Sequence, residues 1–303
     1  MVAQRYAAGP APQPPCCAPL RTVLLFANVC GFSALTRWMA QRYEQGALVT
    51  SQALNSLFGA MTACVHAHGG DVLKFAGDAL IVAWPLAADG LGDGVAASAA
   101  AACAAALLQL PSGGAAGVPA LSLHIALHCG QLAEMHVGDG NAPAGRWEHL
   151  LCGAPLGELA PLISAAAAGE CVASHALWAL LPPGTAERGE ACAGGAVVLL
   201  LSATEDEALQ FSLCDINAED AAPSPAVAAM LSAYLPPALA DTLAHGEQGW
   251  LAELRRVSVV FILLPPICVD DFALASALVA EVHAATGRHG GTPQQSICDD
   301  KGA

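Results

Sequence analysis

Apolar positions follow two alternating spacings along the chain. Val23-Leu24-Leu25-Phe26 is a short strand-forming run that ends at Asn28 and Gly31, and it predicts a central β-strand. Helical spacing follows from Ser33 to about Glu44 and from Ala47 to about His66. In the second of these, Leu48, Ala53, Leu57, Met61, Cys64 and Val65 make an apolar stripe, and Gly69-Gly70 stops it. Val72–Phe75 and Leu80–Trp84 read as strands joined by the turn-forming Ala76-Gly77-Asp78. The alanine-rich stretch Val95–Leu110 predicts a buried helix. Leu121–His128 alternates in part with period two, and Gly130–Val137 is expected to return beside it as another strand. Strand, helix and strand signals recur at Trp147–Cys152, Leu156–Ala168 and Cys171–Ser174.

This order predicts an α+β fold over residues 21–215, with helices on one face of a mainly antiparallel sheet. Residues 1–20 are proline-rich and are expected to form a disordered leader. Residues 216–253 read as an Ala/Pro-rich linker. From 254 to 303 the opening pattern returns: Arg256–Phe261 matches Arg21–Phe26, a helical stretch covers Ala273–Ala285, and His289-Gly290-Gly291 matches His68-Gly69-Gly70. Such a repeat implies a second copy of the domain, incomplete here, in a unit of its own. About 50 residues are too few to bury an independent core.

Composition narrows the functional classes. Eleven basic against 26 acidic residues give a formal charge of −15, which disfavours nucleic acid as a partner. Apolar residues reach 55%, but alanine supplies much of that, and no stretch is long and greasy enough to predict a membrane span. The N-terminus lacks the order of a signal peptide, and the twelve cysteines form no Cys-x-x-Cys pair. Reduced thiols in a cytoplasmic protein are the expectation. Lys74 and Lys301 are the two lysines, so an anion-binding role points first to Lys74.

Two blocks carry a resemblance. Phe26-Ala27-Asn28-Val29-Cys30-Gly31-Phe32-Ser33-Ala34-Leu35-Thr36 and Gly69-Gly70-Asp71-Val72-Leu73-Lys74-Phe75-Ala76-Gly77-Asp78-Ala79-Leu80 resemble the first catalytic homology domain of class III nucleotidyl cyclases, in particular the soluble adenylyl cyclase branch. Glu253–Phe261 is similar to the start of that branch's second domain. The resemblance implies a ferredoxin-like α+β domain and formation of cyclic AMP and pyrophosphate from ATP between two such domains. It also implies Mg²⁺ or Mn²⁺ as cofactor. The two metal-holding aspartate positions fall on Asn28 and Asp78. The backbone of Val29, Cys30, Gly31, Phe32 and Ser33 matches the phosphate-contacting segment, Lys74 an anion-pocket lysine, and Gln295 the base-reading position of the second domain. Ala160 stands where the soluble branch carries an arginine.

Physical chemistry sharpens these expectations. An amide oxygen coordinates a hard cation but adds no charge, so the ion that activates the ribose hydroxyl binds more weakly at Asn28 than at an aspartate. The partners expected are ATP and a second cyclase domain, in cis or in trans. The alternative is a pseudoenzyme, a nucleotide-binding or dimerising regulatory module. Bland readings stand beside the functional ones: Asp78 as a turn residue, Asn28 as a strand-end cap, Lys74 as a solvated edge residue. His66 and His68 read as helix-terminal. His124 and His128 share a face of a predicted strand without a third metal ligand nearby, and Glu134 and Asp139 read as loop or surface carboxylates.

Overall fold

The computed structural model describes residues 14–43, 46–87, 90–110, 119–140, 146–191, 197–201, 231–235, 258–263 and 271–293. Its centre is β1 (Cys16–Cys30), flanked by β3 (Ala79–Pro85) and β4 (Ser122–Gly138), both antiparallel to it. β2 (Asp71–Ala76) forms a hairpin with β3, and β5 (Trp147–Cys152) forms one with the distal half of β4. β6 (Cys171–Ala173), β7 (Glu187–Ala191) and β8 (Val197–Leu200) complete the sheet, in the order β2-β3-β1-β4-β6-β8-β7. Only the β4–β6 pairing is parallel among the described strands. The fold is therefore α+β on a mostly antiparallel sheet, as the pattern implies.

The strand at 23–26 is apolar without alternation because both of its faces are covered. Val23, Leu25, Ala27 and Val29 pack against α2 (Gly46–Ala67) and α3 (Asp93–Leu108), through Met61, Val65 and the buried alanines 96, 97, 99, 100, 101 and 104. Small side chains on α3 let its backbone approach the sheet, at no side-chain entropy cost. On the opposite face Leu24, Ala83, Ala126 and Leu132 pack against Leu159 and Ile163 of α4 (Ala154–Ala165). Helices thus cover both faces rather than one. α1 (Phe32–Arg42) lies against α2, and the single turn α5 (His175–Trp178) is capped by the Ser174 hydroxyl.

Three expectations are corrected. First, β1 begins at Cys16, inside the expected leader, because Cys16–Leu20 pair with Leu132–His136 of β4. Residues 1–13 lie outside the described residues.

Second, 122–138 is one strand with unbroken register to β1, with no turn at Gly130. Gly130 serves a close approach instead. A Cβ there would lie 2.5 Å from Pro155 Cγ, at the start of α4.

Third, the described helix of the repeat segment packs on the first domain. Residues 258–263 pair with none of the described strands, and Phe261 is 93% exposed. Helix α6 (Phe272–Arg288) packs on the first domain: Ala275 and Val279 cover Ala133, Met135 and Val137 of β4. The Ser276 hydroxyl accepts from Gly138 N at 3.0 Å and donates to its carbonyl at 3.1 Å. The physical reason is that distal β4 presents an apolar face that α6 buries. Of the expected linker, only 231–235 are described, and they dock on β5 through Trp147 N to the Ala233 carbonyl at 2.8 Å.

Candidate nucleotide and metal site

The end of β1, the β2–β3 turn and the start of α1 converge. Asn28 is registered opposite Ala79, so Asp78, one residue earlier in the hairpin turn, comes beside the strand end. The amide of Val29 donates to the Asp78 carbonyl at 3.0 Å and ties the turn to β1. Gly77 sits in that turn at φ 68°. After Cys30 the chain reverses at Gly31, whose φ is 89° and whose missing Cβ would stand 2.6 Å from the Ala120 carbonyl. Gly31 is also the N-cap of α1, with no side chain capping it and no acidic residue in the first turn. The first amides of that helix have no intrahelical acceptor, which makes this corner electrostatically suited to phosphate oxygens.

Alternation places Phe26 on the α4 side of the sheet, with Ala126 opposite it on β4 and Ile81 opposite it on β3. Lys74, registered opposite Ile81 after a bulge in β2, therefore belongs to the same row and face. Asn28 and His124 follow one row further on. Ala160 is exposed on α4. Gln295 lies outside the described residues. The structure thus gathers Asn28, Asp78 and the 29–33 segment at one corner and places Lys74 on the adjoining face. A surface groove of about 600 Å³ between α2 and β2 is lined by Phe58, His66 and Phe75 among others and contains none of these residues.

The decisive detail is the partner of Asn28. His124 Nδ1 lies 3.0 Å from the Ala166 carbonyl, which can only accept, so Nδ1 carries the proton. Nε2 of the neutral ring is then an acceptor, and Asn28 Nδ2 donates to it at 2.9 Å. This leaves Asn28 Oδ1 as the free coordinating atom. At this corner Asp78 supplies a carboxylate and Asn28 a neutral amide oxygen.

Sequence reading missed three features. His124 and His128 do share a face, yet they serve separate partners: His128 Nε2 pairs with Glu158 of α4 at 2.8 Å, and its burial holds it below the ordinary imidazole range. Glu134, read as a surface carboxylate, is 2% exposed within β4. No local signal marks that burial, which comes from the cross-strand neighbours of β5. A Cys64–His68–Cys103 cluster also forms between α2 and α3. A hydrogen bond from Cys103, aided by His68 and opposed by burial, pulls the Cys64 thiol down to about 5.

This architecture defines a class: the fold is that of the class III adenylyl and guanylyl cyclase catalytic domain. The adenylyl cyclase CyaB from P. aeruginosa aligns over 63% of this chain and 98% of its own, with a TM-score of 0.50 and 19% identity. Adenylate cyclase type 10 of Rattus norvegicus and of Homo sapiens are each 41% identical over 64 residues, 20% of this chain. The matched segment spans 4% of those relatives' length. No family model matches the chain. Among the described residues no helix is long and apolar enough to cross a membrane.

Proposed function

We propose that this chain is an adenylyl cyclase-type half-site that binds Mg²⁺-ATP and acts only beside a second cyclase domain. The observation that carries the reading is the tie between Val29 N and the Asp78 carbonyl, which anchors the backbone of Asp78 to the strand that leads into a helix with no acidic residue in its first turn. In this reading Asp78 holds a divalent cation, and the 29–33 backbone receives phosphate oxygens. Mg²⁺ or Mn²⁺ supplies neutralisation of the triphosphate as pyrophosphate leaves. In the same reading Lys74, on the adjoining face of the sheet, serves as a cationic contact for anionic groups of the ligand. Asn28 offers Oδ1 while His124 fixes its rotation.

Calorimetry of ATP binding with and without Mg²⁺ tests this. Asp78→Ala is expected to weaken Mg²⁺-dependent binding by roughly tenfold or more, in line with the loss of a charged ligand. Unchanged Mg²⁺-linked binding in that variant overturns the assignment.

A second reading, a nucleotide-binding or dimerising module without catalysis, is favoured by the neutral Asn28–His124 pair, which places no anion where the nucleophile-activating ion belongs. The isolated chain is expected to form no cyclic AMP. Turnover by the wild-type chain alone excludes this second reading. Activity only with both Asn28→Asp and a complete second domain supports a cyclase lineage.

A further inference from the structure

On the same sheet face, further along β4, three ligand-bearing side chains meet. His136 of β4 is registered directly opposite His149 of β5, and Glu134 precedes His136 by two residues, so all three project from one face of the hairpin. Their ligand atoms lie within 4.8 Å of one another. Glu134 Oε1 is 2.9 Å from His149 Nε2, and the two imidazole rings are 5.1 Å apart. Glu134 and His136 are each 2% exposed. His136 Nδ1 is 2.8 Å from the Tyr234 hydroxyl, which reaches over the cluster from the docked 231–235 segment.

We propose that Glu134, His136 and His149 form a site for one divalent first-row transition ion, best matched by Zn²⁺, that pins β4, β5 and the Tyr234 segment together. The donor set is the argument. Two imidazoles and one carboxylate suit a borderline ion, whereas Mg²⁺ and Ca²⁺ prefer all-oxygen sets. The buried Glu134 carboxylate supplies the anionic ligand of the set. With the ion bound, His136 Nδ1 would donate to the Tyr234 hydroxyl, 2.8 Å away, and turn the Nε2 lone pair to the ion, the usual outer-shell device for ligating histidines. The ligands stand on paired strands, so little backbone ordering remains to be done on binding. The proposal is independent of the nucleotide reading, because none of its residues belongs to the Asp78 corner.

The test uses the full chain, stripped of metal with a chelator and checked for folding by circular dichroism, then titrated with Zn²⁺, Co²⁺ and Mg²⁺. The expected result is one retained equivalent of Zn²⁺, and a Co²⁺ spectrum with visible ligand-field bands but no thiolate charge-transfer band. His149→Ala and the near-isosteric Glu134→Gln should each weaken Zn²⁺ binding by about 10- to 100-fold or more, while Arg288→Ala, at an exposed position on α6, leaves it unchanged. A thiolate band that survives in His149→Ala overturns the proposal and places the ion at Cys64, His68 and Cys103. Failure of the folded wild-type chain to retain Zn²⁺ also overturns it, the cluster then being a Glu134–His149 ion pair that holds a proton.

Discussion

Asn28→Asp probes the proton arrangement at the strand end. In the wild-type chain the Ala166 carbonyl takes the Nδ1 proton of His124 and Asn28 Nδ2 fills Nε2 at 2.9 Å. A carboxylate in place of the amide sets a negative oxygen against the Nε2 lone pair, and a half-buried hydrogen bond is lost at a cost of about 1–3 kcal/mol. Proton uptake at Nε2 relieves this by making an ion pair. At that separation an effective dielectric near 20 gives about 6 kcal/mol of Coulomb attraction before desolvation, and adjacent opposite charges ordinarily contribute a net ~1.4–4 kcal/mol to the charged form. The folded variant then binds one more proton than its unfolded chain. The sign follows: this stabilisation is complete below about pH 6.5, where the unfolded imidazole is protonated, and is lost as pH rises through the higher folded value. Urea denaturation of variant and wild type across about pH 5 to 9 reads the difference, whose slope reaches about 1.4 kcal/mol per pH unit. A metal ion bound at the new carboxylate must displace that proton, so Mg²⁺ binding should release one proton in calorimetry run in buffers of different protonation enthalpy. Parallel stability curves for the two proteins refute the proton arrangement and the neutral pair it rests on.

Two further predictions concern packing. Gly130→Ala puts a methyl against the rigid Pro155 ring and should destabilise the fold by about 1–3 kcal/mol in urea melts, with the slope unchanged. At Glu148, burial opposes ionisation, but the hydrogen bond from His283 and the charge of Arg146 prevail and hold its carboxyl below the ordinary value. Its contribution is therefore present above about pH 4.5 and lost as pH falls through the lower folded value. Glu148→Gln should cost on the order of 3 kcal/mol at neutral pH, flatten that acid dependence and loosen α6, read by denaturation and by amide exchange in 272–288.

Much of the fold is legible in local pattern. The runs at 23–26, 72–75 and 80–84, the helix stop at Gly69-Gly70 and the turn at Gly77-Asp78 specify strands and helices close to those observed, because periodicity and turn chemistry act over a few residues. The two blocks of the candidate site are likewise contiguous in sequence, so Asp78, Asn28 and the 29–33 segment could be named before their geometry was seen.

What only the tertiary structure decided depends on partners far along the chain. Gly130 has the composition of a turn residue, and only Pro155 shows that its missing side chain serves packing. The repeat of the opening pattern near residue 256 suggests a second unit, yet α6 joins the first domain because distal β4 offers an apolar face that it buries. Asn28 carries its chemistry through His124, 96 positions away, and the meaning of Glu134 arises from His149 across the hairpin. Local sequence sets backbone preference and side-chain alternation. Burial, protonation and ligand sets belong to pairs of elements that meet only when the sheet has assembled, and no window of consecutive residues contains both members of such a pair.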